Sequence, residues 1–233
     1  MSLIWSEKEV LKFLESVVPK LERDEVILML LAARKKYYPK LKRSEEILDR
    51  KIIRTDNPKI ILQKLKRFTE GVFYQDDEII PEEALVPYII LNPKSTIKAY
   101  NAFTKEVNDQ IFNLIKTIQN NPDKVDYNFF RKLDLKLFSA IHRSTSRHLY
   151  WLVDIDEKDE DKLNLVVDKL GEDVVWITET KNGFHVIVKV SSNSGKVLFT
   201  ELKGKEGIEI QREVMTPICG CKQGGFKVKE FRR

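Results

Sequence analysis

The chain has 233 residues, 42% hydrophobic and 33% charged, with a formal net charge of +5 and a pI near 9.0. That length supports a sizeable core in one large domain or in a compact domain with an appendage, and the mild basic excess favours a polyanionic partner. No apolar run approaches the roughly 18 residues of a membrane span, and the opening "MSLIWSEKEV" turns charged too early for a signal peptide, so no membrane partner and a cytoplasmic location are expected.

From the N-terminus, "SEKEVLKFLESVV" carries a Ser-x-x-Glu start signal followed by apolar positions at helical spacing. "DEVILMLLAARKKYY" is apolar almost all round and predicts a buried second helix. "PKLKRSEEILDRKIIR" and "NPKIILQKLKRF" suit short amphipathic helices, so residues 1–75 are expected as a helical region. The acids and proline of "QDDEIIPEE" mark a boundary, and residues 76–233 are expected as a second unit. There "VPYIILNP" predicts a buried strand stopped by Asn-Pro. "STIKAYNAFTKEVNDQIFNLIKTIQ" predicts a long helix capped by Ser95 or Thr96, and another helical piece lies within "NPDKVDYNFFRKLDLKLFSAIHR". From residue 149 to 214 the order is strand "LYWLVDID", helix "EDKLNLVVDKLG", strand "DVVWITET", a "KNG" turn, strand "FHVIVKV", helix "SGKVLFTELKG" and strand "GIEIQREV". This β-α-β-β-α-β order is the split βαβ order of ferredoxin-like and RNA-recognition-like domains, in an α+β protein.

Side chains alternate along a strand, so Asp154 and Asp156 point to one face. In "FHVIVKV" the apolar Phe184, Val186 and Val188 share a face and leave His185 on the other; in "IEIQ", Glu209 opposes Ile208 and Ile210 in the same way. One register would bring Asp154, Asp156, His185 and Glu209 to a single open face. Three carboxylates with an imidazole suit Mg²⁺ or Mn²⁺, and two such ions can clamp the oxygens of an in-line phosphoryl transfer. Each residue also has a bland reading. An Asp-x-Asp at a strand end is commonly a turn or cap, a lone strand histidine is commonly structural, and the acids from Glu157 to Asp161 suit a solvated helix start.

The series "VDID", "TKNGFH" and "IEI" resembles the three motifs of the archaeo-eukaryotic primase superfamily, over residues 87 to 228. Val153 to Asp156 match the first motif, Thr180, Gly183 and His185 the second, and Glu209 between Ile208 and Ile210 the third. The loop "TPICGCKQGGFKV" is similar to the loop that follows the third motif in primase-like proteins of viruses and mobile elements. Glu209 stands where Asp is common, and Lys181 where glycine is frequent. The resemblance implies an RNA-recognition-like catalytic sheet beside an N-terminal α/β unit, within a catalytic core over 76–233. It implies Asp154, Asp156 and Glu209 as catalytic ligands of Mg²⁺ or Mn²⁺, and His185, Thr180 and Lys181 as contacts of the nucleoside triphosphate. The implied reaction is attack of a 3′-hydroxyl on an α-phosphate over a single-stranded DNA template, with a replicative helicase as a candidate partner.

Two basic stretches lie outside the motifs. Arg143 and Arg147 in "IHRSTSRHLYW" are candidate template-phosphate contacts or an ordinary charged turn. Lys35 and Lys36 in "AARKKYYPKLKR" sit beside Tyr37 and Tyr38, a combination that suits single-strand binding and equally a helix end. Cys219 and Cys221 lack the partners of a four-ligand zinc site, and their spacing disfavours a mutual disulfide. Two competitors remain open: a non-catalytic nucleic-acid-binding module, and a replication-initiation nuclease. The nuclease requires a histidine pair that "GFHVI" does not supply.

Overall fold

The computed structural model describes residues 2–75 and 78–232. It opens on helix α1 (Glu7–Val17), started as the sequence predicts: the Ser6 side chain accepts a hydrogen bond from the Glu9 amide, and Val10, Phe13, Leu14 and Val17 are buried. Then it departs from expectation. "DEVILMLLAARKKYY" is not a helix but contributes strand β1 (Glu25–Arg34), and "PKLKRSEEILDRKIIR" contributes strand β2 (Glu45–Ile53). The expected helical region over residues 1–75 therefore contains two long strands between its helices. Burial explains the misreading: Ile27, Met29, Leu31 and Ala33 pack into one core, while Val26, Leu28, Leu30 and Ala32 pack into another. A strand covered on both faces shows no period-2 alternation, and one rich in Leu, Ala and Met has the composition of a buried helix.

Most of the remaining elements fall close to expectation, apart from short strands within 73–80 and 215–230 that the sequence pattern does not predict. Helix α2 (Pro58–Thr69) is capped by Asn57 and begins on proline. Strands β3 (Phe73–Gln75) and β4 (Glu78–Ile80) form a small hairpin, while Asp76 and Asp77 of the predicted boundary lie outside the described residues. Strand β5 (Leu85–Ser95) is buried throughout and runs on through Pro93, past the expected stop. Helix α3 (Thr96–Asn120) follows with Ser95 as its cap, and helix α4 (Leu133–Arg143) packs back on it. Next come β6 (Tyr150–Asp156), α5 (Glu160–Leu170), β7 (Val174–Glu179), β8 (Gly183–Lys189), α6 (Ser192–Lys196) continuing into a π-helical stretch over Val197–Leu202, and β9 (Ile208–Gln211). The chain closes with β10 (Met215–Pro217), β11 (Lys222–Gln223), β12 (Phe226–Lys227) and β13 (Lys229–Glu230).

Two antiparallel sheets organise these elements. The first has the order β10-β5-β1-β2, with α1 and α2 over one face and α3 and α4 over the other. The second has the order β13-β7-β8-β6-β9. On one of its faces, Val153, Ile155, Phe184, Val186 and Val188 pack against Leu163, Val166 and Leu170 of α5 and Leu198 and Leu202 of the π-helical stretch. On the other, Leu152, Trp176 and Ile187 join the core of the first sheet, with Phe13 edge-on to Trp176 at 5.6 Å. The protein is thus α+β, and no helix among the described residues is long and apolar enough to cross a membrane.

Buried polar groups lock the two sheets together. The Asn92 carboxamide on β5 is fully buried; it donates to the Tyr150 and Arg212 carbonyls (3.0 and 2.9 Å) and accepts from the Leu149 and Tyr150 amides (both 3.0 Å). All its hydrogen-bonding capacity is used, as burial requires. Lys94, also fully buried, pairs with Glu213 and donates to the Thr145 hydroxyl at 2.8 Å. Cys219 and Cys221 are buried free thiols, which burial pushes up, away from thiolate chemistry.

Candidate functional site

The second sheet leaves part of one face uncovered, and that part carries the sequence-predicted cluster. The register pairs Asp154 on β6 with His185 on β8 and, on its other side, with Glu209 on β9. Directly paired residues share a face, with Cα atoms about 4.5–5.5 Å apart. Asp156 lies two residues along the same face, opposite Gly183. Four of the predicted residues therefore lie on one surface, next to the buried Leu152, Trp176 and Ile187.

Local geometry fixes this end of β6. A Cβ at position 183 would fall 1.9 Å from the Ile155 carbonyl oxygen, so only glycine admits the close approach of β8 to its neighbour β6 at this point. Immediately after Asp156, Glu157 adopts φ +68°, the left-handed region a non-glycine residue rarely takes, and turns the chain away toward α5. The acids that follow behave as a helix start, with Asp159 accepting from the Lys162 amide at 2.9 Å.

His185 is held from both sides. Its Nε2 lies 3.3 Å from Asp154 Oδ1, and its Nδ1 lies 3.1 Å from the hydroxyl of the buried Thr216 on β10. Burial acts to raise the Asp154 carboxyl, but the His185 hydrogen bond and charge, with Lys36 and Arg34 nearby, outweigh it and hold the group below the usual carboxylate range. Lys36 is pushed down, first by burial and then by Arg34, while Asp154 and Asp156 pull it back up. The turn after β1 therefore brings cations up to the aspartate pair. That proximity was invisible while this segment read as helix; the one signal was the basic-aromatic run itself.

The other predicted residues are placed differently. The Thr180 hydroxyl is buried and bonds both the amide and the carbonyl of Gly183 at 3.1 Å, bracing the turn. Lys181 lies at the rim. Its ammonium donates to the Gly224 carbonyl at 2.7 Å and sits 4.6 Å from the Tyr37 ring centre. Gly224 takes φ +56°, and a Cβ there would meet the Tyr37 ring at 2.5 Å. Arg147 is turned inward: its guanidinium grips the buried Glu25 carboxylate (2.5 and 2.8 Å) and the Lys20 carbonyl. Arg143 projects to solvent, 3.6 Å from Glu106, and Lys35 is exposed in the turn after β1.

No protein-family model, curated protein or solved structure matches this chain. The case for chemistry therefore stands on its own residues. Among the described residues, no three His, Cys, Asp or Glu side chains are drawn together as a metal-holding group. The donor set nonetheless suits a hard divalent cation: three carboxylates on one face, of which Asp156 and Glu209 are exposed and make no hydrogen bond or ion pair among the described residues.

Proposed function

We propose that this chain is a template-dependent nucleotidyltransferase of the archaeo-eukaryotic primase type, joining nucleotides by metal-assisted phosphoryl transfer. The observation that carries this reading is the register: Asp154 is the common neighbour of His185 and Glu209, with Asp156 on the same face. The strand order β9-β6-β8-β7, with α5 and α6 following β6 and β8, supports an RNA-recognition-like sheet.

In this reading Asp154, Asp156 and Glu209 would hold Mg²⁺ or Mn²⁺, which would supply the positive charge that phosphoryl transfer needs. His185, held at Nδ1 by Thr216, keeps Nε2 beside Asp154 and would orient that carboxylate and help to hold it ionised for the metal. Thr180 shapes the turn that sets His185 in place rather than touching the nucleotide, since its hydroxyl is committed to Gly183. Lys36 and Lys181 give the rim positive charge, suited to a polyphosphate and to a single-stranded DNA template. A replicative helicase is the partner class such an enzyme would serve.

One observation favours a second reading, a non-catalytic nucleic-acid-binding module. The carboxylates share a face without being drawn together. Incorporation of labelled nucleotide on single-stranded DNA with Mn²⁺ or Mg²⁺ separates the two. The enzyme gives metal-dependent product that disappears in Asp154→Ala/Asp156→Ala. The module gives none, while its DNA binding survives the substitution.

A further inference from the structure

Helix α3 is 25 residues long, about 37 Å, yet of these residues only Ala99 is buried. The shorter α4 packs along the side of α3 that carries Ala99 and Glu106, where Lys136 and Arg143 both reach the Glu106 carboxylate (3.5 and 3.6 Å). Roughly 100° round the helix, a second side stays open. Ile97, Tyr100, Val107, Ile111, Ile115 and Ile118 recur there every three or four residues, with Thr104 in the remaining place. Apart from the half-buried Val107, these apolar side chains are between 42% and 65% exposed. The stripe carries no charge, and its borders at Asn101, Phe103, Asn108 and Gln110 are uncharged as well.

The two ends of the stripe differ in shape. At its start, Ile97 and Tyr100 border a cavity of about 410 Å³ with Ile52 of β2 and Leu137 and Ile141 of α4, and the exposed Arg54 lies at the rim. At its end, Ile111, Ile115 and Ile118 stand out as a ridge, and the last turn of α3 has no basic residue to face the negative end of its dipole. A hollow and a ridge at opposite ends of one straight stripe fit each other when a second copy lies antiparallel to the first.

We propose that α3 is the contact helix of a two-fold symmetric dimer, pairing antiparallel with α3 of a second copy of this chain. In that register Ile118 and Ile115 of each copy face Ile97 and Tyr100 of the other, Thr104 faces Ile111, and the axis passes beside Val107. Each Arg54 then meets the C-terminal end of the opposite α3 and supplies the cation that its last turn lacks. An uncharged seam lets two chains of net charge +5 approach, and it offers a nucleic acid no cations to bind. Large side chains left about half exposed offer about 100 Å² each, so the five on the stripe with Leu137 present about 600 Å² per copy. The polar borders bring that close to the about 800 Å² per partner of a stable interface. None of these residues belongs to the aspartate face, so the pairing stands apart from the nucleotidyltransferase reading.

Sedimentation equilibrium of the full chain between about 1 and 100 µM tests it, with a micromolar monomer–dimer equilibrium expected. Ile111→Glu/Ile115→Glu puts charge on two exposed positions and is expected to weaken dimerisation at least about 100-fold, with a thermal midpoint matching that of dilute wild type. Disulfide trapping reads the direction. Val107→Cys chains, beside the axis, are expected to cross-link to one another, while Ile118→Cys chains, held about 30 Å apart, do not. A chain that stays monomeric at about 100 µM overturns the proposal and leaves the stripe to a different protein. A dimer that survives in Ile111→Glu/Ile115→Glu overturns it by placing the contact elsewhere. Cross-linking at 118 rather than at 107 overturns the antiparallel pair.

Discussion

Strands β1 and β6 are both apolar and both flanked by partners on either side, yet they do opposite work. Every residue of β1 from Glu25 to Ala33 is buried, with helices over both faces. β6 is covered on one face by α5 and the π-helical stretch, and on the other only as far as Leu152, so Asp154 and Asp156 reach the surface. The doubly covered strand carries charge only at its two ends, where Glu25 pairs with Arg147 and Arg34 with Glu45, and it supplies stability. The half-covered strand can carry carboxylates because His185 and the nearby cations outweigh the burial of Asp154, and because Asp156 is exposed, while its apolar residues anchor them. In this protein the uncovered end of a well-packed sheet is where carboxylates are tolerated.

The contrast is broken most directly at β6. Asp154→Ala/Asp156→Ala is expected to reduce nucleotide incorporation by at least about 10³-fold, the scale of losing groups that act on transition-state charge, with the thermal midpoint close to wild type. A large stability loss in that variant would make the aspartates structural and merge the two strands into one class. At β1 the expectation reverses. Leu28→Ala should destabilise by about 2–5 kcal/mol in chemical denaturation, through lost burial and an unfilled cavity, and leave activity per folded molecule unchanged.

Asn92, where the sheets meet, lies between these extremes. Asn92→Ala leaves two carbonyls and two amides without their partner, and should cost about 2–3 kcal/mol in the same denaturation measurement. A loss well under 1 kcal/mol would mean that the sheets are held by apolar packing alone. The smallest effect is set by pH. The Arg147 hydrogen bond outweighs burial and holds the Glu25 carboxyl down to about 2. A depressed carboxyl contributes stability that is complete above its unfolded value near 4.5 and is lost as pH falls toward 2. With Arg147 partly exposed, about 2 kcal/mol should disappear across that window in wild type and stay absent in Glu25→Gln, read from midpoints at successive pH values.

The same contrast explains what could be read from the residues. Val153, Ile155, Phe184, Val186 and Ile208 alternate with Asp154, His185 and Glu209 along their strands, so the pattern itself puts the three polar residues on one face, and the pairing has them there. Ser6, Ser95 and Gly171 marked helix ends because caps are local chemistry. β1 was opaque because tertiary cover erased its period, and losing it also hid that Arg34, Lys36 and Tyr37 come up beside Asp154. Arg147 looked like a phosphate ligand because its partner Glu25 lies 122 positions away. Thr216, which holds His185, carried no local signal. Contacts made across the fold were not legible; periodicity and caps were.

Strand β10 has a consequence for how the molecule is made. It enters the first sheet beside β5 only after the chain has finished β9 of the second, and β13 then adds to the second sheet beside β7. The two sheets are interleaved along the chain. Neither edge is closed until residues beyond 215 have been synthesised, so the nascent protein holds two open sheet margins together. Folding is then expected to be a late, concerted event dominated by distant pairings, slow for its size and most vulnerable to aggregation just before it completes.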